Sequence, residues 1–156
     1  MLHVALVEPE IPPNTGNVAR LCAATFAGLH IVGATGFRLD ERAVRRAGLD
    51  YWDEVKIRRH IDLEDLYASL PDSRFVYFTT KSDRSYTDFQ YQNNDCLVFG
   101  RETRGLPADL LKANWERCLT IPMPNANVRS LNLATSVGIA VFEAFRQVGF
   151  TASKLD

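Results

Sequence analysis

The stretch Leu97-Val98-Phe99-Gly100-Arg101-Glu102-Thr103-Arg104-Gly105-Leu106-Pro107 decides how the rest of the chain is read. It begins as the continuous apolar run of a strand covered on both faces. It then stops at a glycine and turns into three charges, a second glycine and a proline. Gly100-x-x-x-x-Gly105 has the glycine spacing of a Walker A loop, but Leu106-Pro107 stands where Lys-Ser/Thr is required. This argues against nucleoside triphosphate hydrolysis. What remains is a tight turn in which Gly100 lets a ligand approach the backbone. Pro107 suits the first turn of a following helix. Glu102, when ionised, only accepts hydrogen bonds, whereas Arg101 and Arg104 only donate.

Similar strand-like runs recur at HVALVE (3–8), LHIVG (29–33), EVKIR (54–58), RFVYFTT (74–80) and CLTIP (118–122). Between them lie helical patterns. Val18, Leu21, Cys22 and Phe26 form one apolar stripe; 62–70 reads as a short helix with Leu63, Leu66, Tyr67 and Leu70 inward; 106–113 is another; 130–148 is the longest. The alternation predicts an α/β fold with a mostly parallel sheet flanked by helices. A single domain over 1–150 is expected, with 151–156 a frayed tail. The helix after Ser130 is apolar nearly all round between Leu133 and Phe145, which suits packing on its own sheet and on a second copy of the chain.

Hydrophobic residues make up 46% and charged residues 24% of the 156, with a net charge of -1. This is an ordinary globular mixture. It argues against a coat of basic charge but leaves room for a local basic patch. No membrane span or signal peptide is expected. Cys22, Cys96 and Cys118 read as buried hydrophobes in a reducing cytoplasm. His3, His30 and His60 are scattered along the chain without zinc-ligand spacing, so no metal site is expected.

Two further polar clusters follow strand ends. Pro12-Pro13-Asn14-Thr15-Gly16-Asn17 precedes the first helix, where Asn14 or Thr15 can serve as cap. The free N–H groups there would favour an anion such as a phosphate. Arg20, one turn on, points out of the core. Ile121 to Asn132 forms a proline-broken loop with Ser130 as a plausible cap and Asn132 in the first turn of the last helix. Taken singly, each cluster could be simple capping. Together they place amides, hydroxyls, a few arginines and one carboxylate at the edge where open α/β sheets bind ligands. The Rossmann glycine fingerprint is absent, which disfavours a dinucleotide-dependent oxidoreductase.

The set NTGN-x-x-R, LVFGRETRGLP and IPM…RSLNLATSV resembles the three motifs of the SPOUT class of RNA methyltransferases. The opening ALVEPEIPPNTGNVARLCAAT resembles its smallest members, the TrmL (YibK-like) tRNA 2′-O-methyltransferases. The resemblance spans about residues 1–150. It implies the SPOUT (α/β-knot) fold, with a deep trefoil knot in the C-terminal half, an exception to the rule that chains do not knot. It also implies a homodimer with the active site at the subunit junction.

The implied reaction is methyl transfer from S-adenosyl-L-methionine to the ribose 2′-hydroxyl of the wobble nucleotide, cytidine or uridine 34, in the anticodon stem-loop of leucine tRNA. By the same resemblance, the cofactor would lie against Phe78, Gly100, Ile121, Ser130 and Leu131. Relatives often carry Leu at the position of Phe78 and Pro at that of Arg101. Arg20, Glu102 and Asn132 would be catalytic. A free guanidinium has a pKa above roughly 12 and is a poor base. Arg20 is therefore expected to bind RNA phosphate and to stabilise charge on the 2′-oxygen. Glu102 would orient neighbouring donors, Asn17 or Asn132. Asn17, Lys81, Arg104 and Arg129 would contact the RNA together with Arg20. Rival readings are an enzyme acting on another RNA such as ribosomal RNA, and a non-catalytic RNA-binding factor.

Overall fold

The computed structural model describes residues 1–39, 46 and 54–150. The expected tail, 151–156, lies outside them. Six strands form one parallel sheet: β1 (His3–Val7), β2 (Gly28–Val32), β3 (Ile57–His60), β4 (Phe75–Phe78), β5 (Cys96–Phe99) and β6 (Cys118–Leu119). Their spatial order is β3-β2-β1-β5-β4-β6. Every residue of β1, β2, β4 and β5 is buried, as their continuous apolar runs predict.

Four helices cover the two faces: α1 (Pro12–Thr25), α2 (Leu63–Ser69), α3 (Ala108–Ala113) and α4 (Leu133–Val148). Val18, Ala19 and Cys22 of α1 and Leu133, Val137, Ala140, Val141 and Ala144 of α4 pack over Val4, Leu6, Leu29, Val76, Leu97 and Leu119. On the other face, Leu66 of α2 and Leu111 of α3 pack over Ala5, Val7, Tyr77, Cys96, Val98 and Cys118. All three cysteines are free and buried. Burial pushes the Cys22 thiol up to about 12, so it stays protonated and packs as a small hydrophobe.

Connections from β1 run towards β2, and those from β5 run past β4 to β6. The strand order therefore reverses between β1 and β5.

Residues 118–120 lie between β4 and the β4–β5 connection. Thr79 N–H donates to the Leu119 carbonyl at 2.9 Å. On the other side Tyr86 N–H donates to the Thr120 carbonyl at 2.9 Å, and Thr120 N–H donates to the Arg84 carbonyl at 2.8 Å. The chain enters this passage from α3 on one face of the sheet and leaves it for α4 on the other.

Several local expectations change. The third strand is Ile57–His60 rather than 54–58, because its register is set by pairing with Leu29 to Val32. It is an edge strand with Arg58 and Arg59 exposed, so burial imposes no pattern on it. The run 118–122 keeps only two ladder residues. Phe26 is not part of the inward stripe; it ends α1 in a left-handed conformation (φ 53°) and is 57% exposed. The helix expected over 106–113 begins at Ala108, since Pro107 is extended at its N-cap.

The histidines, scattered in sequence, meet in space. His30 pairs with Ala5, two residues beyond His3, and His60 pairs with Val32, two beyond His30. Steps of two keep all three on one face of the sheet. The His3 Nδ1 to His30 Nε2 distance is 3.1 Å, and His30 Nδ1 to His60 Nε2 is 2.8 Å. Burial, then the neighbouring rings and Arg58, pushes His30 down to about 3; burial also lowers His3 and His60.

The folded state therefore prefers neutral rings, whereas the unfolded chain binds protons near the ordinary histidine value of about 6.5. Stability from these groups is complete above that value and is lost as pH falls below it towards about 3. Thermal unfolding should show a midpoint that declines between pH 7.5 and 5.5, with a shallower decline in His30→Phe. Equal slopes in the two proteins would contradict this assignment.

Candidate active site at the carboxyl edge of the sheet

The start of α1 shapes the site. Pro12 and Pro13 occupy its first positions, where a missing N–H is no loss. No side chain of α1's own end caps it, so neither Asn14 nor Thr15 is the expected cap. The last amide donors before the two prolines are Glu10 and Ile11, and the Glu102 carboxylate takes both. Glu10 N–H donates to Oε1 at 3.0 Å, and Ile11 N–H donates to Oε2. The anion expected at this helix start is thus supplied from the loop after β5.

Asn14 Nδ2 also donates to Glu102 Oε2, at 3.4 Å. Since a carboxylate only accepts, the Asn14 amide must turn its nitrogen to Glu102 and its oxygen away. That oxygen accepts from Asn132 Nδ2 at 3.0 Å, across 118 residues of sequence. Asn132 Oδ1 in turn accepts from Thr135 N–H at 3.2 Å and caps α4. Ser130 is therefore not the cap; α4 begins at Leu133. Glu102 orients Asn14, and through it Asn132, rather than Asn17.

Two further contacts lock the same loops. Arg101 donates to Glu8 at 2.8 Å. Thr103 donates its hydroxyl and N–H to Glu10 Oε1 at 2.6 and 3.2 Å. These Thr103 hydrogen bonds, followed by Arg101 and Arg104, hold the Glu10 carboxyl below its usual range.

A cavity of about 620 Å³ opens beside this relay. Phe78 and Phe99, at the ends of β4 and β5, form its apolar wall, with rings 4.7 Å apart and 14° from parallel. The expected cofactor residues Phe78, Gly100, Ile121, Ser130 and Leu131 all line it. So do Glu102 and Asn132, and the expected RNA contacts Lys81, Arg104 and Arg129. Asn17 and Arg20 do not: both sit on the exposed side of α1, outside the cavity wall. Asn14 and Thr103 belong to the site, and the sequence reading missed them; Asn14 had passed as a helix cap.

Gly100 has a reason beyond the one expected. A Cβ there would stand 2.1 Å from the Gly105 carbonyl carbon and 2.3 Å from Leu106 N. The close backbone approach is the loop's own, closed by Gly105 N–H donating to the Arg101 carbonyl at 2.8 Å. Gly105 itself is at φ 66°. Among the described residues, no cluster of three or more His, Cys, Asp or Glu could hold a metal ion, and no helix is long and apolar enough to cross a membrane.

The model of the SpoU rRNA methylase family matches residues 1–142. The chain belongs to this family. It is 49% identical over 154 residues to the tRNA (cytidine(34)-2′-O)-methyltransferase of Burkholderia cenocepacia, covering 96% of this chain and 97% of the relative. It is 45% identical over 157 residues to the protein of that name in Escherichia coli K12, covering 99% of both. A solved structure described as giving insight into 2′-OH methylation of C/U34 on tRNA is 44% identical, with a TM-score of 0.89 over 94% of this chain and 95% of that one. An AdoMet-bound rRNA methyltransferase from Sinorhizobium meliloti is 28% identical, with a TM-score of 0.82 over 93% of this chain but only 56% of its own. The parallel sheet with flanking helices is thus the SPOUT α/β fold of these methyltransferases.

Because the loop closes on its own backbone, Gly100→Ala should cost about 2 kcal/mol or more of unfolding free energy through strain. A urea titration checks this. A change within about 0.5 kcal/mol, the range of an ordinary surface substitution, would contradict the packing described.

Proposed function

We propose that this chain is an S-adenosyl-L-methionine-dependent tRNA methyltransferase acting on the ribose 2′-hydroxyl of cytidine or uridine 34 in leucine tRNA. In this reading it is a single cytoplasmic domain over 1–150, knotted at its C-terminal half, that works as a homodimer. The observation that carries the reading is the cavity at the carboxyl ends of β4, β5 and β6, lined by all five expected cofactor residues beside the Glu102–Asn14–Asn132 relay. The tRNA substrate is favoured over ribosomal RNA by the relatives that match end to end. The passage of residues 118–120 inside the β4–β5 connection favours the knot.

The residues present suit the cofactor. The cavity has the size of a small-molecule site. It offers an apolar aromatic wall together with hydroxyls from Thr79, Thr120, Ser130 and Ser136. When bound, the cofactor supplies an activated methyl on a sulfonium; the chain supplies position and electrostatics. Phe78, Gly100, Ile121, Ser130 and Leu131 hold it. Both Glu102 oxygens are engaged by N–H donors, so Glu102 is a positioning residue that fixes three loops. Arg104 and Arg129, on the cavity rim, hold RNA phosphates.

Arg20 and Asn17 are exposed on α1 and do not line the cavity of their own chain. This placement, with Phe142 of α4 48% exposed, supports a site completed at the junction of two copies. There Arg20 would hold phosphate and stabilise charge on the 2′-oxygen.

Labelled methyl from S-adenosyl-L-methionine should enter unmodified leucine tRNA and not the same tRNA with a 2′-deoxy nucleotide 34. Equal labelling of both would rule out the 2′-hydroxyl as acceptor. Labelling of neither, with tight cofactor binding, would favour an RNA-binding factor. Arg20→Ala should lower kcat by about 10²- to 10³-fold with cofactor affinity nearly unchanged. A large loss of cofactor affinity would place Arg20 on the wrong ligand.

A further inference from the structure

A second groove, of about 280 Å³, is lined by Lys81, Ala108, Leu111, Lys112 and Trp115. Lys81 lines the catalytic cavity as well, so the two spaces share a wall. Trp115 opens the short 3-10 turn Trp115–Arg117 after α3 and is 47% exposed. Its indole makes no ring or cation contact among the described residues. Neither Lys81 nor Lys112 joins an ion pair among them, and both are exposed. No acidic residue lines the groove.

An exposed indole that shares a groove with two apolar side chains and two ammonium groups outside any ion pair among the described residues matches a base with its flanking phosphates. Aromatic faces stack bases of any sequence, and lysines act as point charges for the backbone. The groove adjoins the cavity in which the target ribose must lie, so the base it can reach belongs to a neighbouring nucleotide. We propose that Trp115 stacks an unpaired base next to the target nucleotide, with Lys81 and Lys112 on its flanking phosphates. This rests on the RNA methyltransferase reading and adds to it a substrate subsite beyond the cofactor cavity.

The chain has two tryptophans, Trp52 and Trp115, so Trp52→Phe leaves Trp115 as the sole indole. Titrated with an anticodon stem-loop RNA, that protein should show saturable quenching. Abasic riboses on both sides of nucleotide 34 should abolish it. In methyl transfer, Trp115→Ala should raise KM for tRNA by about fivefold or more. Its kcat and cofactor affinity should stay near wild type, and Trp115→Phe should recover most of the loss. Lys112→Ala should reduce the slope of log affinity against log salt by about one.

Methyl transfer without quenching, or an unchanged KM in Trp115→Ala, overturns the subsite and leaves the function standing. Quenching that needs the flanking bases, in a protein that transfers no methyl, upholds the subsite and overturns the function. Loss of the dimer in Trp115→Ala with normal KM would assign the indole to a second copy instead.

Discussion

One carboxylate holds the site together. Glu102 extends from the loop after β5 and takes the last two amide donors ahead of the Pro12-Pro13 start of α1. It also fixes which way the Asn14 amide faces. Because each later partner has only one orientation left, Asn132 and the start of α4 follow from that choice. Two loops are thereby joined by hydrogen bonds to a charged acceptor, and the third, before α4, is tied to them by the neutral Asn132–Asn14 bond. Bonds to a charged acceptor are among the stronger polar contacts a protein makes, worth about 1.5–3 kcal/mol each.

The same constraint explains the composition of the loop. Gly100 must be glycine because the turn folds back on Gly105 and Leu106. Arg101 is paired with Glu8 at the end of β1, and Thr103 with Glu10. Arg104 lines the cavity and joins no ion pair among the described residues, which suits it to a polyanion. A stretch that has the glycine spacing of a phosphate loop is therefore mainly a clamp between β1, α1 and β5.

What the sequence made legible follows physical range. β1, β2, β4 and β5 were readable because burial on both faces demands unbroken apolar runs. The inward faces of α1 and α2 were readable from helical spacing, apart from Phe26, where the helix had already ended. β3 was misplaced because an edge strand carrying Arg58 and Arg59 bears no burial pattern. The motifs named many of the residues that line the cavity, together with Asn17 and Arg20, which do not, and they could not say that Asn14 bridges Glu102 and Asn132. Nor could they show three histidines 27 and 30 residues apart aligned across adjacent strands. Those facts depend on strand order and register, which local spacing does not carry.

If Glu102 and Asn132 act on the cavity through Asn14, their effects on cofactor binding must be coupled. Calorimetric titration of S-adenosyl-L-methionine into wild type, Glu102→Gln, Asn132→Ala and the double variant measures that coupling directly. The account predicts that each single variant weakens binding and that the double variant is little worse than the weaker single. Losses that simply add would contradict a shared relay and reduce Glu102 and Asn132 to independent contacts.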